Sequence, residues 1–251
     1  MSDRPISITM PDDGRIIRGL VRDGDGPTIV WLGGFRSDMT GAKAEAVATW
    51  GQEHGRKVVR FDYSGHGGSD GAFEDGRIGR WFGEAKAVIA AEAGPEFVLV
   101  GSSMGGWMAL LLAREQPAGL KGVVLVAPAP DFTEKLFYPA LPPEMRARLD
   151  AGETVELPGE YGSPAYRLTA DFFRDGARHN LLDAPLRLGV PVIIIQGMAD
   201  TSVPHAHARR IVDRLVDDDV VLTLVKDGDH RLSRPSDIAL ILDAIGRVTE
   251  E

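Results

Sequence analysis

Short, unbroken runs of aliphatic and β-branched residues recur along the chain at FVLVG (97–101), GVVLVA (122–127), VIIIQG (192–197) and VVLTLV (220–225). Runs of this kind have no polar face, so each predicts a strand covered on both sides. The amphipathic segments between them supply the cover. The alternation predicts a mostly parallel sheet flanked by helices. Four more runs complete a set of eight: ISITM (6–10), RIIRGLV (15–21), TIVWL (28–32) and VVRF (58–61). The first two are joined by the turn PDDG, which predicts an antiparallel hairpin. Helices are expected over about 39–54, 77–93, 103–115, 204–216 and 236–248.

One interval breaks the pattern. Residues 131–189, after the sixth strand, contain no convincing buried strand, many prolines and two or three short helical pieces. A long excursion of this kind reads as a cap or binding segment inserted into a core made of residues 1–130 and 190–251. Its aromatics look exposed: Phe132, Phe137, Tyr138, Tyr161, Tyr166, Phe172 and Phe173. Among them Phe137, Tyr138, Tyr161 and Phe172 are the expected substrate contacts, offering apolar surface to an acyl chain.

Composition narrows the chemistry. At 251 residues the chain can bury a full core without staples, and it has no cysteine for a disulfide, a thiolate nucleophile or a thiolate metal site. The net charge of −9 repels phosphate backbones and argues against nucleic acid as a partner. No stretch reaches the apolar length that spans a bilayer, and the start MSDRPISITMPDDG has no apolar signal core. A cytoplasmic location is the default expectation. His205 and His207 open a helix on different faces, which argues against a shared metal, so neither metal nor organic cofactor is expected.

The sequence GSSMG (101–105) follows the strand FVLV and precedes the helical run GWMALLLAR. This is the G-x-S-x-G pattern in its strand–turn–helix setting, where a strained turn lifts a serine hydroxyl above the sheet. Gly101 and Gly105 bracket Ser103, so Ser103 is the candidate nucleophile and Ser102 the variable position. A serine needs a base, and of six histidines only His230, in KDGDHRL, follows the last strand. An acid that orients the base should come from a different loop. Asp200, just past VIIIQGM, meets that condition better than Asp227 or Asp229, which adjoin His230. Stabilising a developing oxyanion needs two N–H donors. Met104, after the nucleophile, and Phe35, after Gly33-Gly34 in WLGGF, occupy the donor positions. The glycine-rich turn FDYSGHGGSDG (61–71) lacks the phosphate-loop pattern and reads as structural, shaping the site from beneath.

These residues resemble the α/β-hydrolase superfamily over the whole chain. Within it, the stretches GGFRSDMTGAKA (33–44), VRFDYSGHGGSDG (59–71), LVGSSMGGWMALL (99–111), QGMADTSVP (196–204) and DHRL (229–232) resemble the group of mitochondrial palmitoyl-protein thioesterases and mycophenolic acid acyl-glucuronide esterases. The resemblance implies the α/β-hydrolase fold, Ser103, Asp200 and His230 as a triad, and Phe35 and Met104 as oxyanion donors. It implies hydrolysis of a small acyl ester or thioester. The absence of cysteine and of an organellar presequence points to a bacterial relative. Two alternatives keep their place: a serine peptidase, which would use the same triad, and a non-catalytic binding protein of the same fold, which would typically lose a triad member.

Overall fold

The computed structural model describes residues 3–159 and 164–249; Tyr161 lies outside the described residues. The chain runs β1 (Arg4–Thr9), β2 (Ile16–Arg22), β3 (Asp25–Leu32), α1 (Ala42–Glu53), β4 (Arg56–Phe61), α2 (Ile78–Glu92), β5 (Phe97–Ser102), α3 (Met104–Arg114) and β6 (Leu120–Val126). An excursion then holds a π-helical turn (Thr133–Phe137), a short α4 (Tyr138–Ala140), α5 (Pro143–Asp150), β7 (Thr154–Leu157), β8 (Tyr166–Thr169) and α6 (Ala170–Ala177). The chain closes with β9 (Val192–Gly197), α7 (His205–Arg214), β10 (Val220–Val225) and α8 (Pro235–Thr249). Eight strands form one sheet in the order β1-β2-β4-β3-β5-β6-β9-β10. Only β2 opposes the rest, being antiparallel to both β1 and β4.

The alternation of side chains explains the layers. Along β3, β5, β6 and β9, Val30, Leu32, Leu99, Val123, Leu125, Val192 and Ile194 pack to one face with α2, α3 and α7. Their neighbours Ile29, Trp31, Val98, Val100, Val124, Val126, Ile193 and Ile195 pack to the other face with α1 and α8. This is the two-sided cover that unbroken apolar runs require.

Three expectations need correction. VVLTLV is β10, an edge strand, and its residues are partly open, with Leu224 39% exposed. Its apolar composition does not distinguish an edge from an interior position. The excursion is not purely helical: β7 and β8 pair antiparallel as a separate two-stranded sheet, from Thr154↔Thr169 to Leu157↔Tyr166. Four-residue strands carry too few alternations to announce themselves, and burial of Val155 and Leu168 fixes them instead. Finally, Phe132, Phe172 and Phe173 are buried: the first two pack on rings contributed by the core, and Phe173 packs on Phe172 and Tyr138.

The junction of β5 and α3 brings backbone close to backbone. Ser103 sits there with φ 54° and ψ −116°, a left-handed conformation that costs about 1–3 kcal/mol for a residue with a side chain. A Cβ on Gly101 would collide with the Gly105 carbonyl, and one on Gly105 with the Leu32 carbonyl at the end of β3. Gly105→Ala should therefore destabilise the protein by about 3 kcal/mol. Gly83→Ala, in α2 with nothing near the new methyl, should stabilise it by about 0.5–1 kcal/mol. Urea midpoints for the two variants check the contrast, which requires opposite signs.

Two histidines are buried in this core, His66 and His207. Burial pushes the His66 imidazolium down to about 4 and lowers that of His207 as well. In the unfolded chain both protonate near about 6.5. Below that pH the unfolded state binds the extra protons, so their contribution is intact above about pH 6.5 and is lost as the pH falls toward 4. The stability gap between wild type and His66→Gln should shrink by about 1 kcal/mol per pH unit between about pH 6 and 5. Denaturant midpoints across that range measure it; a gap that does not change with pH contradicts the burial.

Candidate active site

The elbow presents Ser103 at the carboxyl edge of the sheet. Its N–H donates to Val126 O at 2.9 Å, and its carbonyl accepts from Gly106 N at 2.9 Å and Ala129 N at 3.1 Å. The backbone is thus tied to β6 and α3, and the side chain is left to the cavity. Met104 is the first residue of α3, so its N–H has no acceptor inside the helix. Gly34 lies against the elbow; a Cβ there would fall 3.4 Å from Ser103 Cβ and 3.3 Å from Ser102 O. That approach brings the Phe35 loop beside the serine.

The loops after β9 and β10 are zipped together by backbone bonds, Met198 N to Val225 O at 2.8 Å and Ala199 N to Gly228 O at 3.0 Å. Asp200 and His230 therefore meet. His230 Nδ1 lies 2.8 Å from Asp200 Oδ2, and His230 Nε2 lies 3.1 Å from Ser103 Oγ. The other Asp200 oxygen accepts from Ser202 N at 2.9 Å and Val203 N at 2.7 Å, and Gln196 Nε2 donates to Oδ2 at 3.0 Å. Burial alone would raise the Asp200 carboxyl, but the His230 imidazole and these donors outweigh it and hold the group below the usual carboxylate range. Asp200 is thus held as a charged acceptor, which keeps the His230 proton on Nδ1 and leaves Nε2 to the serine.

The competing residues are engaged elsewhere. Asp227 pairs with Arg234 at 2.6 Å, and Asp229 accepts from Arg231 N and Leu232 N, bracing the His230 loop. His54 stacks on Trp50, His179 faces Asp175, and His207 bonds the Pro130 carbonyl. Among the described residues no three His, Asp or Glu side chains could hold a metal ion together. No helix among them is long and apolar enough to cross a membrane.

A cavity of about 470 Å³ opens over Ser103 and His230. One wall is apolar, formed by Phe35, Phe132, Leu136, Phe137, Tyr166 and Val203. The lining also carries Lys43, Ser37, Asp38 and Arg231. Lys43 donates to the Arg231 carbonyl, and burial together with the Arg231 charge pulls its ammonium down to about 8. A neighbouring cavity of about 540 Å³ lies beyond Arg36 and Tyr166 and does not contain the serine.

Of the expected contacts, Phe137 borders the serine cavity. Phe172 does not: it is 2% exposed and lies behind the wall, packed on Phe35 and Trp81. Tyr138 also lies off the cavity, with its hydroxyl donating to Asp150 at 2.7 Å and its ring on Phe173. Tyr166 borders the cavity instead, on β8, a strand that its short sequence did not announce. Phe35 is the centre of an aromatic cluster, touching the rings of Phe73, Trp81, Phe132, Phe137, Tyr166 and Phe172 at centroid distances of 5.0–6.1 Å. The turn FDYSGHGGSDG does more than lie underneath. Its Asp62 accepts from Met39 N at 2.7 Å, and its His66 accepts from Arg36 N at 3.1 Å, so both grip the Phe35 loop.

Known proteins match this arrangement along most of the chain. The family model described as serine aminopeptidase, S33, matches residues 28–155, and that of the prolyl oligopeptidase family matches residues 93–244. The mouse (Mus musculus) palmitoyl-protein thioesterase ABHD10, mitochondrial, is 34% identical over 223 residues, which are 88% of this chain and 75% of that protein. Among solved structures, one from Agrobacterium vitis S4 with a provisional hydrolase description superimposes at a TM-score of 0.92, with 44% identity over 99% of this chain and 98% of that one. The mouse alpha/beta hydrolase domain-containing protein 10 superimposes at 0.88, with 30% identity over 100% and 99% of the two chains. With an eight-stranded sheet of this order and relatives of this similarity, the chain belongs to the α/β-hydrolase family and is a hydrolase enzyme.

Proposed function

We propose that the protein hydrolyses small acyl esters or thioesters through Ser103, His230 and Asp200. The observation that carries the reading is the unbroken hydrogen-bonded chain from Asp200 Oδ2 through His230 to Ser103 Oγ, above a strained elbow. His230 Nε2 takes the serine proton as Oγ attacks the acyl carbonyl. The N–H groups of Phe35 and Met104 hold the oxyanion, and the N-terminal end of α3 favours the same charge. His230 then returns the proton to the leaving alcohol or thiol. A water deprotonated by the same imidazole releases the acid and restores the serine.

The apolar and the polar residues of the lining take different parts of the substrate. The acyl chain lies along Phe132, Leu136 and Phe137, and the leaving group lies toward Lys43, Ser37 and Arg231. In this reading residues 131–189 act as a cap that shapes the acyl side. Palmitoyl-protein thioesterase and acyl-glucuronide esterase activities are the specific forms considered, the first because the curated relatives carry that name. The peptidase names of the two matched families keep a second reading, cleavage of peptide amides by the same serine.

Ser103→Ala should abolish labelling by a fluorophosphonate and remove p-nitrophenyl ester and acyl-thioester hydrolysis to background. Asp200→Asn, which offers His230 the wrong partner for Nδ1–H, should lower kcat by about 10^4-fold with KM little changed. Initial rates on matched ester, thioester and peptide panels check both. Rates in Ser103→Ala equal to wild type would remove the assignment, and peptide turnover above ester turnover would favour the second reading.

A further inference from the structure

We propose that His66 is a positioning residue of the oxyanion loop, acting through the Arg36 amide. The proposal rests on the reading of Ser103 and Phe35 above. His66 projects from the turn after β4 and is only 4% exposed. Its ring sits edge-on to Phe73 at 5.4 Å and Trp81 at 5.1 Å. Its two nitrogens have different partners. Nε2 lies 3.1 Å from Arg36 N, and Nδ1 lies 3.1 Å from Ser64 O. A backbone amide can only donate, so Nε2 must be the acceptor and the proton must reside on Nδ1, donated to Ser64 O.

The receiving end is itself pinned. Ser64 N donates to Glu84 Oε2 at 2.9 Å, and Trp81 Nε1 donates to Ser64 O at 3.1 Å. Glu84 and Trp81 are both fully buried on α2. The imidazole is therefore a rigid strut between α2 and the loop after β3. Arg36 adopts a left-handed φ of 59°, and Ser37 N turns back to Gly34 O at 3.2 Å. The Arg36 N–H bond holds the peptide unit that follows Phe35 and the Ser37 bond holds the Gly34 carbonyl of the unit that precedes it, so the two together restrict the Phe35 N–H beside Ser103. A protonated ring would face Arg36 N with a second donor; burial holds the imidazolium down to about 4 and keeps the acceptor available.

A misplacement of about 1 Å at a reacting centre can cost 10^2-fold. His66→Phe keeps an aromatic ring between Phe73 and Trp81 but removes the acceptor. It should lower kcat on an aryl ester by about 10- to 100-fold, with KM within about twofold. The inhibition constant of an alkyl trifluoromethyl ketone, whose serine adduct carries an oxyanion, should rise by the same factor as kcat falls. His66→Gln can return an acceptor to Arg36 N and should recover most of both losses. Where His66→Phe does not fold, His66→Asn, too short to reach Arg36, takes its place. Wild-type kcat and ketone affinity in the Phe variant would overturn the proposal. So would equal losses in the Phe and Gln variants, since ring packing rather than the acceptor would then be the relevant property. The two readings fail differently: absence of Ser103 labelling in wild type removes the serine mechanism, whereas normal labelling with an unaffected Phe variant removes only the role of His66.

Discussion

Three backbone segments meet at the carboxyl edge of the sheet with no side chain between them. Gly34 faces the elbow, Gly101 faces Gly105, and Gly105 faces the end of β3. This contact fixes where the elbow and the Phe35 loop stand relative to each other. It brings the Phe35 loop against Ser103, the residue that precedes α3. The strained Ser103 conformation persists because buried, packed structure such as Leu99, Leu125 and Met108 supports it.

The remaining two groups arrive by a different route. Asp200 and His230 belong to loops that touch each other through backbone bonds before either reaches the serine. The pair is assembled at the ends of β9 and β10 and is delivered as a unit. Asp200 is fully satisfied by four donors, three of them besides His230. A buried carboxylate held this way stays charged without a permanent counter-ion.

Much of this was legible in the sequence because it depends on local pattern. Four unbroken apolar runs and four shorter or mixed ones marked all eight strands of the main sheet, and the strand–GSSMG–helix context singled out Ser103. The placement of His230 and Asp200 after the last two strands anticipated residues that the fold brings into hydrogen-bond contact. What escaped depends on partners distant in sequence. Phe172 looks like a surface aromatic until Phe35 and Trp81 are known to cover it. Tyr166 and its strand are too short to display a period, and β10 reads like a central strand although it lies at an edge. His66 was visible as part of a glycine-rich turn, but its acceptor role needs the tertiary approach of Arg36, which no spacing rule contains.

The ring of Phe35 touches core and excursion alike: Phe73 and Trp81 on one side, Phe132, Phe137, Tyr166 and Phe172 on the other. The edge-to-face contacts constrain orientation as well as distance. The excursion and the loop after β3 are therefore mechanically joined through one ring. Replacing the excursion with that of a relative would carry foreign rings against Phe35 and disturb the loop beside Ser103. The smallest interchangeable part is accordingly the whole aromatic cluster, core members included.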